Sequence, residues 1–429
     1  MPVITVTAAD PLVVYGTAGA DTINVLSGAH QIYADAGADS VDASAANFGQ
    51  YIEGGNGGDT IVGSAFDDAI GGGGYNEGLP YNDSGQTDYL YGGAGNDVLS
   101  GVGSLAKGIY FGGEGNDGLH ASGAGSYLDG GNGDDQFYDG AGADTLLGGA
   151  GADSFLLTGG GADFIDGGSG LNSVDFLLIG GSAGVQVNLA AGFALDLSGA
   201  VDTLANVQNA YGSWGNDVLV GSSADNILEG YRGNDYIDGG AGKDNITAGD
   251  TYSDHCTLVG GLGSDTIYGG NGSDLLVGGN WSLADAGVAD YLYGGSGNDL
   301  LFTGSAGTGT LVAGPGNDTL VGSTGTDYLY GGEGSDVFIG GTGTENFYVG
   351  ANNFPSGVFD MGGGADVDYV SGFHVGDTFG FAASLAGQIS YFQSGATAYM
   401  YAPVVGGYWY EGVANATVAQ LQAATYFAG

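Results

Sequence analysis

The sequence predicts an all-β solenoid, a stack of very short strands coiled around a narrow core. Three observations carry that prediction. Glycine supplies 95 of the 429 residues and proline only 6, far from the usage of an ordinary globular domain. A unit of nine residues recurs along most of the chain, and self-similarity at a fixed short period marks a repeat architecture. Within a unit, an aspartate is followed two residues later by one large apolar side chain, as in "GGEGSDVFI" from Gly331. The last three residues then point outward, inward and outward, which is a minimal strand.

Charge makes that fold conditional. The 49 acidic residues face only Lys107, Arg232 and Lys243, a formal net charge of −46, and self-repulsion on that scale opposes a compact state unless cations intervene. Nucleic acid and anionic membranes need clustered Lys and Arg and are excluded as partners. The chain is nonetheless 43% hydrophobic and 11% aromatic, too apolar for plain disorder. Cys256 is the only cysteine, so no intrachain disulfide can staple the structure. The N-terminal "MPVITVTAADPLVV" has neither the basic nor the long apolar region of an ordinary secretory signal. No apolar run approaches the length of a spanning helix, so membrane insertion is not expected. If the chain is exported, its signal lies elsewhere.

The repeat can be followed in frame. From Gly130 the chain reads "GGNGDDQFY", "DGAGADTLL", "GGAGADSFL"; from Ala313 it reads "AGPGNDTLV", "GSTGTDYLY", "GGEGSDVFI". Ten copies keep the full GGxGxD hexad, starting at Gly54, Gly92, Gly112, Gly130, Gly148, Gly239, Gly260, Gly269, Gly294 and Gly331. Looser copies start at Gly16, Asp139, Thr158, Gly212, Gly230, Ala313 and Gly322. Glycines admit backbone angles closed to other residues and turn carbonyl oxygens toward a common point. The aspartate adds a hard anionic oxygen there, and carbonyl plus carboxylate oxygens favour Ca²⁺ over transition metals. The candidate metal ligands are Asp21, Asp59, Asp97, Asp117, Asp135, Asp144, Asp153, Asp163, Asp217, Asp235, Asp244, Asp265, Asp274, Asp299, Asp318, Asp327 and Asp336. A flexible Gly-rich linker would not hold aspartate at one phase with Leu, Ile or Phe two residues on.

These motifs resemble the nonapeptide GGxGxDxUx, with U a large apolar residue, of the repeats-in-toxin (RTX) family, and the resemblance covers most of residues 12–350. It implies a right-handed parallel β-roll in which two nonapeptides make one coil and calcium sits between neighbouring turns along each edge. One apolar side chain per nine residues cannot offset the entropy of ordering nine residues, so binding and folding are expected to be one event.

Taken in order, residues 1–175 form a first roll. Within it the pattern from Gly92 to Asp129 is present, absent, present, absent, so one edge there should carry ions and the other should be bare. Longer interruptions begin at Gly72, Ala248 and Gly278 and read as loops on the roll's edges. The period fails over 176–211, where "VQVNLAAGFALDLSG" reads as strand, turn and strand; this is a β connector. Residues 212–350 form a second roll. Residues 351–429, aromatic and low in charge, suit the cap a solenoid needs, and the family resemblance adds an uncleaved type I secretion signal.

Tyr328 and Tyr330 flank Leu329 in "DYLYGG", and so do the pairs Tyr291 and Tyr293, Tyr89 and Tyr91 around their leucines. All six should point out of the roll, where polar residues are usual. Either inserted loops or the cap cover this face, or it packs against a partner. Catalytic patterns are weak. His30, His120, His255 and His374 lack a second histidine four positions on, which excludes HExxH. "GGSAG" from Gly180 fits GxSxG without the strand-to-helix elbow that pattern needs. The His255–Cys256 pair reads as incidental. The sequence therefore points to a secreted, calcium-folded structural protein and not an enzyme: a surface-layer, matrix or filament subunit that forms a homo-oligomer or polymer. The alternatives are an adhesin or carbohydrate-binding module meeting a cell-surface polysaccharide, and the noncatalytic repeats of a polysaccharide-modifying enzyme.

Overall fold

The computed structural model describes residues 2–73, 85–101, 107–123, 125–177, 183–249, 254–279, 288–304 and 307–341, and beyond these the strands Thr344–Tyr348, Val367–Ser371, Thr378–Ala382, Ser390–Ser394, Thr397–Val404, Gly407–Ala414 and Thr425–Ala428. The side chains of the expected cap, the central parts of the three long interruptions and His374 lie outside the described residues. Two compact units emerge, Met1–Ser213 and Trp214–Gly429.

In the first unit successive strands alternate between two parallel sheets. One runs Thr22–Val25, Ser40–Asp42, Thr60–Val62, Thr87–Ala94, Lys107–Glu114, Tyr127–Asn132, Thr145–Ala150 and Phe164–Asp166. The strands between them, from Gln31–Asp35 and Tyr51–Glu53 to Gln136–Tyr138, Ser154–Leu156 and Ser173–Asp175, make the other. Leu128 pairs with Leu146, eighteen residues on, so one coil is two nonapeptides. Where an interruption intervenes the register absorbs it: Ile61 pairs with Leu90. This is the all-β parallel β-roll that the repeat predicts.

Each strand contributes one side chain inward. Ile61, Leu90, Tyr110, Leu128, Leu146 and Ile165 form one fully buried row, and Ile52, Leu99, Leu119, Phe137, Phe155 and Val174 lie in the other. The rings of Phe137 and Phe155 stack at 4.7 Å. Such a core is thin.

The connector is an excursion from the coil. Ala183–Asn188, Phe193–Leu195 and Val201–Ala205 form an antiparallel meander. Val201–Ala205 then pairs in parallel with Phe164–Asp166, and Asn209–Tyr211 with Ser173–Asp175. The chain thus rejoins the stack at Val201, before the nonapeptide resumes at Gly212, because Asp202 and Leu204 already keep the Asp-x-apolar spacing.

The second unit repeats the design. Asn216–Ser222, Tyr236–Ala241, Thr257–Leu262, Leu275–Gly279, Leu300–Phe302, Thr319–Val321 and Val337–Ile339 pair in parallel. Ile227–Glu229 through Thr344–Tyr348 form its other sheet. Val367–Ser371 and Thr378–Ala382 extend the two sheets, and Ser390–Ser394, Thr397–Val404 and Gly407–Ala414 close the unit as an antiparallel β-rich cap. Among the described residues no helix is long and apolar enough to cross a membrane.

The outward face has two characters. Tyr15, Tyr51, Tyr89, Tyr91, Tyr291 and Tyr328 are exposed; Tyr15 stacks on Tyr33 at 5.5 Å, and the Tyr51 ring meets Tyr33 at 5.9 Å, tilted by 53°. Val259 and Val277 also occupy outward positions, yet they are buried.

Candidate calcium-binding rows

The aspartates stand at the entrance of each short strand, where a main-chain N–H faces the next coil. There they form ladders. The N–H of Asp97 donates to Oδ1 of Asp117 at 2.7 Å, Asp117 to Asp135 at 2.8 Å, Asp135 to Asp153 at 2.9 Å, and Asp153 to Asn172 Oδ1 at 2.9 Å. Asp68 precedes them, donating to Asp97. On the opposite edge Asp21, Asp39, Asp59 and Asp88 are linked in the same way, and Asp144, Asp163 and Asp202 resume the row after a break. In the second unit one row joins Asp217 to Asp235, then Cys256, Asp274, Asp299, Asp318 and Asp336. The other joins Asn226, Asp244, Asp265 and Asp290, with Asp327 beyond a second break.

One carboxylate oxygen is therefore committed to holding coils together. The other is not: Oδ2 of Asp97, Asp117, Asp135, Asp153, Asp235, Asp244, Asp274, Asp299 and Asp318 is buried without a hydrogen-bond partner. Leaving a buried polar oxygen unpaired is costly, and more so when it is charged. Repetition in register at nine positions marks a ligand-ready row.

The glycine that stands five residues before most of these aspartates completes the arrangement. A Cβ on Gly294 would lie 2.5 Å from Asp299 Oδ2 and 2.7 Å from the carbonyl oxygen of Ala313 in the next coil. Only a residue without a side chain leaves that space open between the two oxygens. Its neighbour type is also fixed: Gly113 has φ +115°, and a Cβ there would run into the Gly93 carbonyl oxygen. Among the described residues no three His, Cys, Asp or Glu side chains converge, so a cation here must draw on few carboxylates and several main-chain carbonyls. An all-oxygen set of that kind suits Ca²⁺.

Electrostatics give the same answer. Burial, with help from neighbouring carboxylates of the row, pushes Asp97, Asp135 and Asp244 up to about 7 and Asp235 and Asp318 up to about 8. The rows resist ionisation until a cation compensates them.

All seventeen aspartates singled out by the sequence are buried, and each falls in a row position. They are not equivalent. The second oxygen of Asp144 accepts from the Gly140 N–H at 3.0 Å, that of Asp327 from the Ser323 N–H at 2.6 Å, and that of Asp21 from the Thr17 hydroxyl at 2.9 Å. Five row members escaped the hexad: Asp39, Asp68, Asp88, Asp202 and Asp290, all buried. Their upstream glycines are substituted or displaced by insertions. The surviving signal is an aspartate two residues before the core side chain, as in "TDYLY" and "ADYLY".

The breaks have their own chemistry. Gly108 takes an aspartate's place, and the buried Tyr110 ring fills the space beside it with its hydroxyl unpartnered. Gly309 takes another, with Thr303 against it. Cys256 stands in the row between Asp235 and Asp274, its Sγ accepting from the Asp235 N–H at 3.4 Å, and burial pushes its thiol up to about 12. It is a neutral spacer.

Comparison with known proteins agrees with this geometry. Residues 15–47, 83–102, 120–155, 154–174, 211–246, 257–280, 289–307 and 312–344, just over half of the chain, match the RTX calcium-binding nonapeptide repeat. Among solved structures the chain is similar to the extracellular lipase LipA from Serratia marcescens, at 12% identity over 78% of this chain and 45% of that one, with a TM-score of 0.16. It is also similar to a hyperactive, Ca²⁺-dependent, beta-helical antifreeze protein from an Antarctic bacterium, at 14% identity over 80% and 86% of the two chains, with a TM-score of 0.18. The chain thus spans less than half the length of the lipase. A comparison with curated proteins gives no match. Buried aspartate ladders, glycine-lined oxygen cradles and the repeat match together make this chain a member of the RTX calcium-binding nonapeptide repeat family.

Proposed function

We propose that this chain is a secreted structural protein that folds on binding several extracellular Ca²⁺ ions and then self-assembles as a surface-layer, matrix or filament subunit. The observation that carries the calcium half is the register of partnerless Oδ2 atoms. When bound, the ion supplies positive charge and coordination between coils. The chain's own part is to fix each carboxylate through the Oδ1 ladder, present main-chain carbonyls through glycine turns, and exclude water from both. Millimolar calcium outside the cell suits sites of this kind, and low cytosolic calcium would leave the chain unfolded and threadable.

The assembly half rests on the outward aromatic rows, among them Tyr15, Tyr33 and Tyr51, Tyr91 with Phe111, and Tyr268 with Tyr293. Neighbouring outward rings along a sheet are suited to burial against a second surface. In this reading the chain is not an enzyme, and its partners are further copies of itself. The same rings favour a second reading, a module that holds a cell-surface polysaccharide; a third is the noncatalytic repeats of a polysaccharide-modifying enzyme. Electron microscopy and light scattering with and without calcium decide. Ordered polymers that need calcium and disappear in the Tyr15→Ser, Tyr33→Ser double variant support assembly. Dispersed monomers that retain a polysaccharide support the second reading, and turnover of an alginate-like polymer supports the third. Monomers that do none of these overturn all three.

A further inference from the structure

At the end of the first roll, acidic side chains gather that the nonapeptide does not account for. Asp139 occupies the first position of its unit, where glycine is usual. Its Oδ1 accepts from both the N–H and the hydroxyl of Thr158 at 2.7 Å, while its Oδ2 is buried without a partner. Asp196 comes from the connector meander, outside every segment that matches the repeat. It is buried; its Oδ2 accepts from the Gly160 N–H at 2.9 Å and the Ser198 hydroxyl at 3.0 Å, and its Oδ1 accepts from the Ser198 and Ala200 N–H groups at 2.9 and 3.0 Å, so a cation here would share an oxygen that the turn already orients. The two carboxylates thus grip the same glycine turn, from the preceding coil and from the connector, at residues only two apart, a separation that two residues of chain keep below about 7 Å. Asp163 and Asp202 stand beside them in the adjacent row; burial first, and then the Asp196 charge, raises Asp139, and burial with Asp196 and Asp139 raises Asp202. Lys107 is the only Lys or Arg in residues 1–213, and it is exposed on a distant coil.

We propose that Asp139 and Asp196 are the carboxylate ligands of a divalent-cation site outside the nonapeptide pattern, which fastens the connector meander to the roll. The ligand class is a hard cation, Ca²⁺ in the first instance, because the donors are carboxylate and main-chain oxygens alone. No three side chains converge, so main-chain oxygens complete the set. Asp163 and Asp202 deepen the negative potential without joining it. Within the meander Phe193–Leu195 pairs only with its two flanking strands, of which Val201–Ala205 is itself tied to the roll through Phe164–Asp166.

The test uses the full chain and calcium alone. Ion stoichiometry is measured by native mass spectrometry for wild type, Asp139→Asn, Asp196→Asn and the double variant, and hydrogen exchange is followed over residues 186–195. Asparagine at 139 keeps the oxygen that accepts from Thr158, so those bonds survive; at 196 it keeps only one of two accepting oxygens, so the ion count decides for that variant. Each single variant is expected to bind one ion fewer than wild type, the double variant no fewer than either single, and exchange in the meander to rise at least tenfold. Asp196→Lys guards against misfolding: it places a cation in the site, so the meander should stay protected even when calcium is removed to the point where wild type loses that protection. Unchanged ion counts with unchanged meander exchange overturn the proposal. A wild type that binds calcium in its repeats while the variants keep every ion defeats this site alone; a wild type that binds none defeats the calcium reading as a whole.

Discussion

Asp135→Asn should change sign with calcium. The side chain's Oδ1 accepts the Asp117 N–H at 2.8 Å and would go on doing so as an amide, so the substitution removes charge and one orphaned oxygen but not the ladder. Burial first, then Asp117, Asp153 and Asp134, lifts this carboxyl from 3.8 to about 7. Three units correspond to about 4 kcal/mol against the ionised form, and allowing for solvent screening about 2 kcal/mol is a fair working figure. Without calcium at pH 8 the variant is therefore the more stable chain by about 2 kcal/mol. With calcium it forfeits an ion whose contribution is about 2.7 kcal/mol at a hundredfold excess over Kd and about 4.1 at a thousandfold. The two effects cancel where calcium is about thirtyfold over Kd, and above that wild type wins. The assay is paired: trimethylamine-N-oxide-driven folding in chelator, and urea unfolding in saturating calcium, both followed by far-UV circular dichroism. The variant should need less osmolyte in the first and less urea in the second. Equal shifts of the same sign in both would refute the idea that these carboxylates are destabilising until an ion arrives.

Further outcomes follow from the same geometry. Carboxyls lifted to between 7 and 8, such as Asp97, Asp235 and Asp318, hold protons in the roll that the unfolded chain releases near 4, so calcium-free stability falls as pH rises between those values. Chelator-treated protein should therefore gain β signal when titrated from pH 8 to pH 4.5, and a loss of signal would contradict the burial argument. In saturating calcium, Tyr110→Phe removes a buried hydroxyl without a partner and should be neutral or stabilising by about 1 kcal/mol; a clear fall in the urea midpoint would mean the hydroxyl is bonded. Gly113→Ala forces a side chain at φ +115° into a carbonyl oxygen and should cost about 2 kcal/mol or more. Gly118→Ala, whose Cβ meets nothing nearer than 3.9 Å, should cost nothing or stabilise slightly.

The repeat made the fold readable because every level agrees. Glycine phase, aspartate phase and a single apolar residue such as Leu128 or Phe155 all specify the same coil, so the inward rows and the seventeen buried aspartates could be placed from spacing alone. Even the bare edge was legible, since "GVGSLAKGIYF" and "ASGAGSYLD" lack the aspartate and the structure puts Gly108 and Ser126 there. What escaped was whatever depends on the third dimension. Asp39 and Asp88 sit in the rows although their glycines are replaced or displaced, because the strand needs only the carboxylate and the core residue. Asp196 could not be found by period at all, since a meander with no repeat delivers it. Nor does strand alternation reveal that Val259 and Val277 are buried while Tyr15 and Tyr291 are not, because cover for an outward position comes from elsewhere in the chain.

Gly108 and Gly309, each with a hydroxyl-bearing neighbour plugging the space of a missing carboxylate, act as bulkheads. Nearest-neighbour coupling along a solenoid passes from coil to coil, and at these two coils one edge has no anion to relay it. Occupancy gained or lost on one side of such a partition does not spill directly along that edge to the other. If calcium fills the rows as proposed, a protein so divided would shed ions from one compartment under calcium scarcity while the coils beyond the partition keep theirs.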